Sequence, residues 1–184
     1  MEPTASSSLV NRAIGAAMLN VDTYEEVEAD RTATSQAAVV VLAVAVASAV
    51  GSYGQGSSGM LAGVLNAFVG WLVWAGVTNL VGTRLLGGTA DWGELLRTLG
   101  FAQAPGILLA LGVIPLFGGF IGLAVSIWVL VAVIIAIRQA LDFSTGKAVA
   151  TALVSMVVVF LAAIAVGMLL GTAVGAASIL TGSN

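Results

Sequence analysis

The chain has 184 residues, 59% of them hydrophobic and only 8% charged, where an ordinary soluble domain carries about 25%; its mean hydropathy is +1.09. Such a chain belongs in a bilayer, and six Lys/Arg against nine Asp/Glu leave no basic surface for nucleic acid. Zero Cys and zero His exclude disulfides, thiolate metal sites, iron–sulfur clusters, covalent haem and lipoprotein acylation, and remove the commonest metal ligand and neutral-pH acid/base.

Residues 1–32 are polar and acidic and lack the short apolar core and cleavage site of a secretory signal. They are expected to form a cytoplasmic amphipathic tail ahead of a five-helix transmembrane domain over 33–184. Within the tail, Leu9, Val10, Ala13, Ile14, Ala17, Met18 and Val21 recur at helical spacing, Asn11, Arg12 and Asp22 point elsewhere, and Leu19 departs from the stripe. This predicts an amphipathic helix along the membrane surface with Leu9, Ile14 and Met18 at the interface; the alternative is a docking helix for a partner subunit. Thr23 to Glu26 has capping-box spacing, so a second short helix is expected to begin there. Its carboxylates, Glu25, Glu26, Glu28 and Asp30, read as a solvated acidic face, with a divalent cation as the alternative.

Crossing about 30 Å of hydrocarbon takes roughly 20 apolar residues. Five uncharged runs qualify: 33–53, 60–83, 99–117, 119–137 and 148–180. The last exceeds one span and must tilt, bend or project. Residues 51–59 and the stretch from Pro115 to Gly119 read as reversals. Between the second and third runs, Asp91 and Glu94 precede a stripe of Trp92, Leu95, Leu96 and Leu99, which predicts a short interfacial helix anchored by Trp92. Pro105 is tolerated early in span three if a helix restarts there, and Ser144 is placed to cap the last span.

With these spans, Arg12, Arg31, Arg84, Arg97, Arg138 and Lys147 all fall on one side, and so do the nine acids. Basic residues accumulate in cytoplasmic loops, so the amino terminus is expected inside and the carboxyl terminus outside, with an uncharged external face. No ionisable group is expected inside a span, where a charge is costly and usually kept for ion or substrate movement. The polar residues there include Asn66, Thr78, Asn79, Gln103, Ser126, Thr151, Ser155 and Thr172. Hydrogen bonds between helices, worth roughly 0.6 to 2 kcal/mol each, are their default role. For the amides Asn66, Asn79 and Gln103, a ligand or conduction site is the alternative. Glycines four apart, Gly59 and Gly63, Gly118 and Gly122, then Gly167, Gly171 and Gly175, let backbones approach closely, either within the chain or along an oligomer seam.

The segments from Leu96 to Pro105 (LRTLGFAQAP), Ile114 and Pro115 before a Gly-rich turn, and Ile137 to Ala148 (IRQALDFSTGKA) resemble the prokaryotic branch of the Yip1 family. Thr23 to Asp30 (TYEEVEAD) is similar to the segment before the first span in such proteins. The resemblance implies five helices and a cytoplasmic amino terminus. For eukaryotic members it implies vesicle traffic, contacts with prenylated small GTPases and membrane shaping. A small GTPase is not expected as a partner here, because Asp22 to Glu26 stands where the DLYGP-type motif would be.

The reading is an all-α integral membrane bundle of five transmembrane helices with an N-terminal amphipathic interfacial helix, placed in a prokaryotic inner membrane. Its expected role is a non-catalytic scaffold or accessory subunit whose partners are membrane lipids and other integral membrane proteins or itself. It has no intrinsic cofactor, though lipid or pigment fits at helix interfaces. The alternative is a small transporter or channel with a path of intramembrane amides. An enzyme is the weakest reading, since no His, Cys or buried carboxylate pair is available.

Overall fold

The computed structural model describes residues 8–52, 60–114 and 116–181, with side chains of 60–62 and 169–181 outside the description. Ser8 opens α1 (Leu9–Ala17), its Oγ accepting from the Asn11 N–H at 3.3 Å. Leu19 takes a left-handed φ of 62° and reverses the chain, which is why it falls out of the apolar stripe. Asn20 then caps α2 (Val21–Ala29), Oδ1 accepting from the N–H groups of Asp22 at 2.9 Å and Thr23 at 3.4 Å. The helix thus starts ahead of the expected Thr23 capping box, because Asn20 reaches the orphan N–H groups first.

The first span, α3, runs Ala33–Gly51 and the second, α4, Met60–Leu80, prolonged by a π-helical turn over Val81–Leu85. Gly82 in that widened turn lies against Leu141 with no room for a Cβ. Asp91 caps α5 (Trp92–Ala102) with a full capping box: its Oδ1 accepts from Glu94 N at 2.7 Å while its own N–H donates to Glu94 Oε2 at 2.8 Å. The expected short interfacial helix and the third span are one continuous unit. The chain breaks at Gln103 and goes on as a 3-10 helix over Ala104–Val113, Pro105 sitting in its first turn, where a missing N–H costs least. Glu94 and Arg97, expected ahead of the third span, thus fall in the first two turns of the apolar helix Trp92–Val113, as Arg84, Arg138 and Lys147 fall at the charged ends of theirs. Next come α6 (Gly118–Ala140) and α7 (Thr145–Thr181). Five helices are long and apolar enough to cross a membrane. Of the reversals expected at 51–59 and from Pro115 to Gly119, residues 53–59 and Pro115 lie outside the described residues.

The third span is the central layer, 56% buried against 17% for the last span. Its α5 half packs on α2, α3, α4 and α6, and its 3-10 half on α3 and α6. At one end Gly51 lies against the Leu109 carbonyl, and Gly118 against the Gly112 carbonyl, where a Cβ would stand 2.8 Å from the oxygen. At the other, charged end, Lys147 Nζ donates to Leu86 O at 3.2 Å and Thr89 Oγ1 to Asp142 Oδ2 at 3.2 Å. The last helix joins the bundle through buried Ala148, Thr151, Ala152 and Ser155 and then leaves it, with residues 160–168 exposed on every side. Its 37 residues span about 55 Å at 1.5 Å per residue, well beyond the hydrocarbon.

Candidate functional site

Two features stand out above the packing: a clamp that ties α1 and α2 to the charged half, and a recess that opens where α7 departs. The clamp centres on Arg12. Its Nε and Nη2 donate to Glu26 Oε1 at 3.2 and 2.9 Å, Nη2 also to Asp30 Oδ2 at 2.7 Å, and Nη1 to Gln36 Oε1 at 3.1 Å. The Arg12 side chain is 1% exposed. Removing it from water is costly unless every donor is paired, and here the end of α2 and the start of α3 supply the acceptors. Hydrogen bonds from Thr32 and then Arg12 lower the Asp30 carboxyl to about 2.

A second guanidinium closes the same carboxyl-terminal end of α2 through its backbone. Arg97, 5% exposed, donates through Nε to the carbonyls of Val27 and Glu28, each at 3.0 Å, and through Nη2 to Glu28 O. These last-turn carbonyls lack helical partners and carry the negative end of the helix dipole. Tyr24 OH donates to Ala16 O at 3.0 Å, Gln139 Nε2 to Glu25 Oε1 at 2.9 Å, and Trp128 Nε1 to Ala17 O at 2.7 Å. The α1–α2 corner thus reaches half-way along α6. Glu28 has its carboxyl raised to about 7, first by burial and then by Glu94, Asp142 and Glu25, with Arg97 acting against them.

On α1 the clamp holds Arg12 and Ala16 inward, while Val10, Ile14 and Met18 are exposed at 58, 52 and 74%; Leu9 is half-buried and Trp92 exposed. Glu26 and Asp30, weighed as cation ligands, hold Arg12, and among the described residues no group of three or more Asp or Glu is placed to bind a metal.

The recess lies on the far side of the third span. One part, about 500 Å³, is lined by Asn66, Trp71, Trp74, Gln103, Met156 and Phe160 among others. The adjoining part, about 390 Å³, shares Trp74, Gln103 and Met156 and adds Val44, Gly106 and Val129. Past Ser155, α7 lines it with Met156 and Phe160 opposite the α4 residues Asn66 and Trp74. Of the three amides singled out in the sequence, Asn66 and Gln103 share this recess, while Asn79 sits apart and donates to Ala90 O at 2.9 Å. Of the glycines, Gly118 makes a close backbone contact, whereas at Gly63, Gly122 and Gly167 a Cβ would meet nothing within 4 Å among the described residues. Gly171 and Gly175 are part of α7 with surroundings outside the described residues, as is Gly59.

Nothing in the sequence paired Arg12 with Glu26, Asp30 and Gln36, since the contacts join different helices. Capping polarity was the only available signal for Arg97: a basic residue near the end of a helix it does not belong to.

The fold and both features define a five-span helical membrane protein with a docked amino-terminal helix pair. The profile of the Yip1 domain matches residues 18–180, and the chain belongs to the Yip1 domain family. Comparison with curated proteins and with solved structures gives no match.

Proposed function

We propose that this Yip1-domain membrane protein is a non-catalytic scaffold or accessory subunit that packs sideways against another membrane protein or a second copy of itself. The observation that carries the reading is the uncommitted face of the last two spans. Among the described residues, a Cβ at Gly122 or Gly167 would have no neighbour within 4 Å, and residues 160–168 of α7 are exposed all round. Helices in lipid associate through small residues that admit a close partner rather than through the hydrophobic effect. Glycines that serve no crossing within the chain are therefore available to one outside it. The positive-inside rule supports a charged end, with the clamp, in the cytoplasm of a prokaryotic cell, and α1 turns its Val10, Ile14 and Met18 row toward lipid.

The chain has no Cys, so a single Gly167→Cys or Gly122→Cys gives clean crosslinking in native membranes. The expected result is a discrete adduct, at twice the chain mass for self-association or at a larger mass for a different subunit, together with copurification in mild detergent. No adduct from either position and a monomeric, partnerless particle sink the proposal.

A further inference from the structure

The recess beside α7 contains polar groups that the protein itself does not satisfy. Gln103 and Asn66 line it, and among the described residues neither amide has a hydrogen-bond partner. The Nε1–H of Trp74, in the wall shared by both parts, is buried without an acceptor among them. An unsatisfied amide away from water costs several kcal/mol, so a recess of this kind is unfavourable when filled by hydrocarbon alone.

Depth narrows the choice of occupant. Trp74 and Val129 are the central residues of the spans Gly63–Leu85 and Gly118–Ala140, and Gln103 and Met156 flank the middle of Trp92–Val113 and Thr145–Met168. The inner part of the recess therefore sits about 15 Å from the charged end of each span, which is half the thickness of the hydrocarbon, and Asn66, eight residues before Trp74, lies about 12 Å further toward the uncharged end. A phospholipid carries its ester carbonyls and charged head at the boundary, and at mid-depth it presents only methylene and methyl groups to Gln103 and Trp74. The groups in the recess require a neutral molecule that is apolar throughout yet bears a carbonyl or hydroxyl. The wall suits a ring, with Trp71, Trp74, Phe160 and Met156 offering flat or polarisable faces, and the volume lies in the range of small-molecule pockets.

We propose that this recess binds a neutral isoprenoid lipid of the quinone or quinol class. The ring sits between α4, the 3-10 helix and α7, and its oxygens are bonded by the Gln103 and Asn66 amides. An amide both donates and accepts, so it matches a quinone carbonyl through N–H and a quinol hydroxyl through C=O. The isoprenoid tail leaves sideways along the exposed part of α7. This site is independent of any protein partner on Gly122 and Gly167.

The test uses the full chain in nanodiscs of defined phospholipid containing a decyl-substituted benzoquinone. Bound quinone is quantified after isolation, and tryptophan quenching is followed as quinone is added. The expected result is retention near one quinone per chain over empty nanodiscs, with saturable quenching, and at least a tenfold loss of apparent affinity in Gln103→Leu/Asn66→Leu. Leucine is well tolerated in lipid, so this variant should remain folded, and an unchanged thermal unfolding midpoint verifies that. Gln103→Asn, which keeps an amide on a shorter arm, should fall between. Retention no greater than in empty nanodiscs, or equal affinity in the double leucine variant, overturns the proposal.

Discussion

The two halves of the bundle solve opposite problems. In the charged half, guanidinium groups, capping side chains and carbonyls are matched donor to acceptor around Arg12 and Arg97, and the third span is enclosed on most sides. In the uncharged half the close contacts among the described residues centre on Gly51, Gly112 and Gly118, and α7 faces α4 across the recess that Asn66 and Gln103 line. Stability is concentrated where the chain bonds to itself, and the surfaces left for other molecules lie where it does not. That division makes the effect of a substitution depend on which half it enters.

The largest effect is expected at Arg12. Arg12→Met strands Glu26, Asp30 and Gln36, and breaking an ion pair whose cation is buried costs about 3 kcal/mol, the lower end of the range because both carboxylates remain partly exposed. Hydrogen exchange should show the backbone amides of α1 and α2 losing protection about a hundredfold, with α7 unchanged. Loss spread evenly over all helices would erase the contrast between the halves. Overpacking comes next. At Gly100 a Cβ would lie 2.7 Å from the Ala37 Cβ and 3.2 Å from Trp71 Cζ2, so Gly100→Ala should lower stability by about 1 to 2 kcal/mol. Gly122→Ala and Gly167→Ala should be neutral or slightly stabilising in the isolated chain, since alanine is the better helix former. The same two changes should weaken crosslinking in native membranes, and thermal unfolding beside adduct yield separates the two consequences.

The five spans were legible because an uncharged run of membrane length has few other uses; the first agreed closely, 33–53 against Ala33–Gly51, while the third, expected at 99–117, begins at Trp92 because the capping box starts the helix ahead of the uncharged run. The Asp91 capping box was legible because its two partners are three residues apart. What stayed hidden depends on contacts between distant segments. The stripe on α1 showed that one face is apolar and left open whether that face turns inward. Arg12 decides it, through acceptors 14 to 24 residues away. The switch to a 3-10 helix after Gln103 was signalled by Pro105, but its length follows from the approach of Gly51 to the Leu109 carbonyl, which no local pattern encodes. The recess was invisible for the same reason: Asn66, Gln103 and Met156 come from three different helices and share it only once these pack together.

The smallest expected effect is also the sharpest test of the division, because among the described residues the Asp, Glu, Lys and Arg side chains are confined to one half. In the docked state burial and the neighbouring acids Glu94, Asp142 and Glu25 raise Glu28 from 4.5 to about 7, with Arg97 opposing. Undocked, Glu28 returns toward its ordinary value. The docked form therefore holds a proton that the free form releases, and docking weakens as pH rises from about 4.5 through about 7. Asp30 acts at the other end of the scale: its carboxyl is lowered from 3.8 to about 2 by Thr32 and Arg12, so its contribution is lost as pH falls below 3.8 toward 2. The α1–α2 pair should be held most tightly near pH 4 to 5. Exchange protection of the α2 amides, corrected for the intrinsic rate, should fall between pH 5 and pH 8 in the native chain and stay level in Glu28→Gln. Residues 153–168 of α7 contain no ionisable side chain and should show no such trend. A native chain whose α2 protection is as high at pH 8 as at pH 5 would remove Glu28 from the clamp, whereas a parallel decline in α7 would mean that the two halves open together.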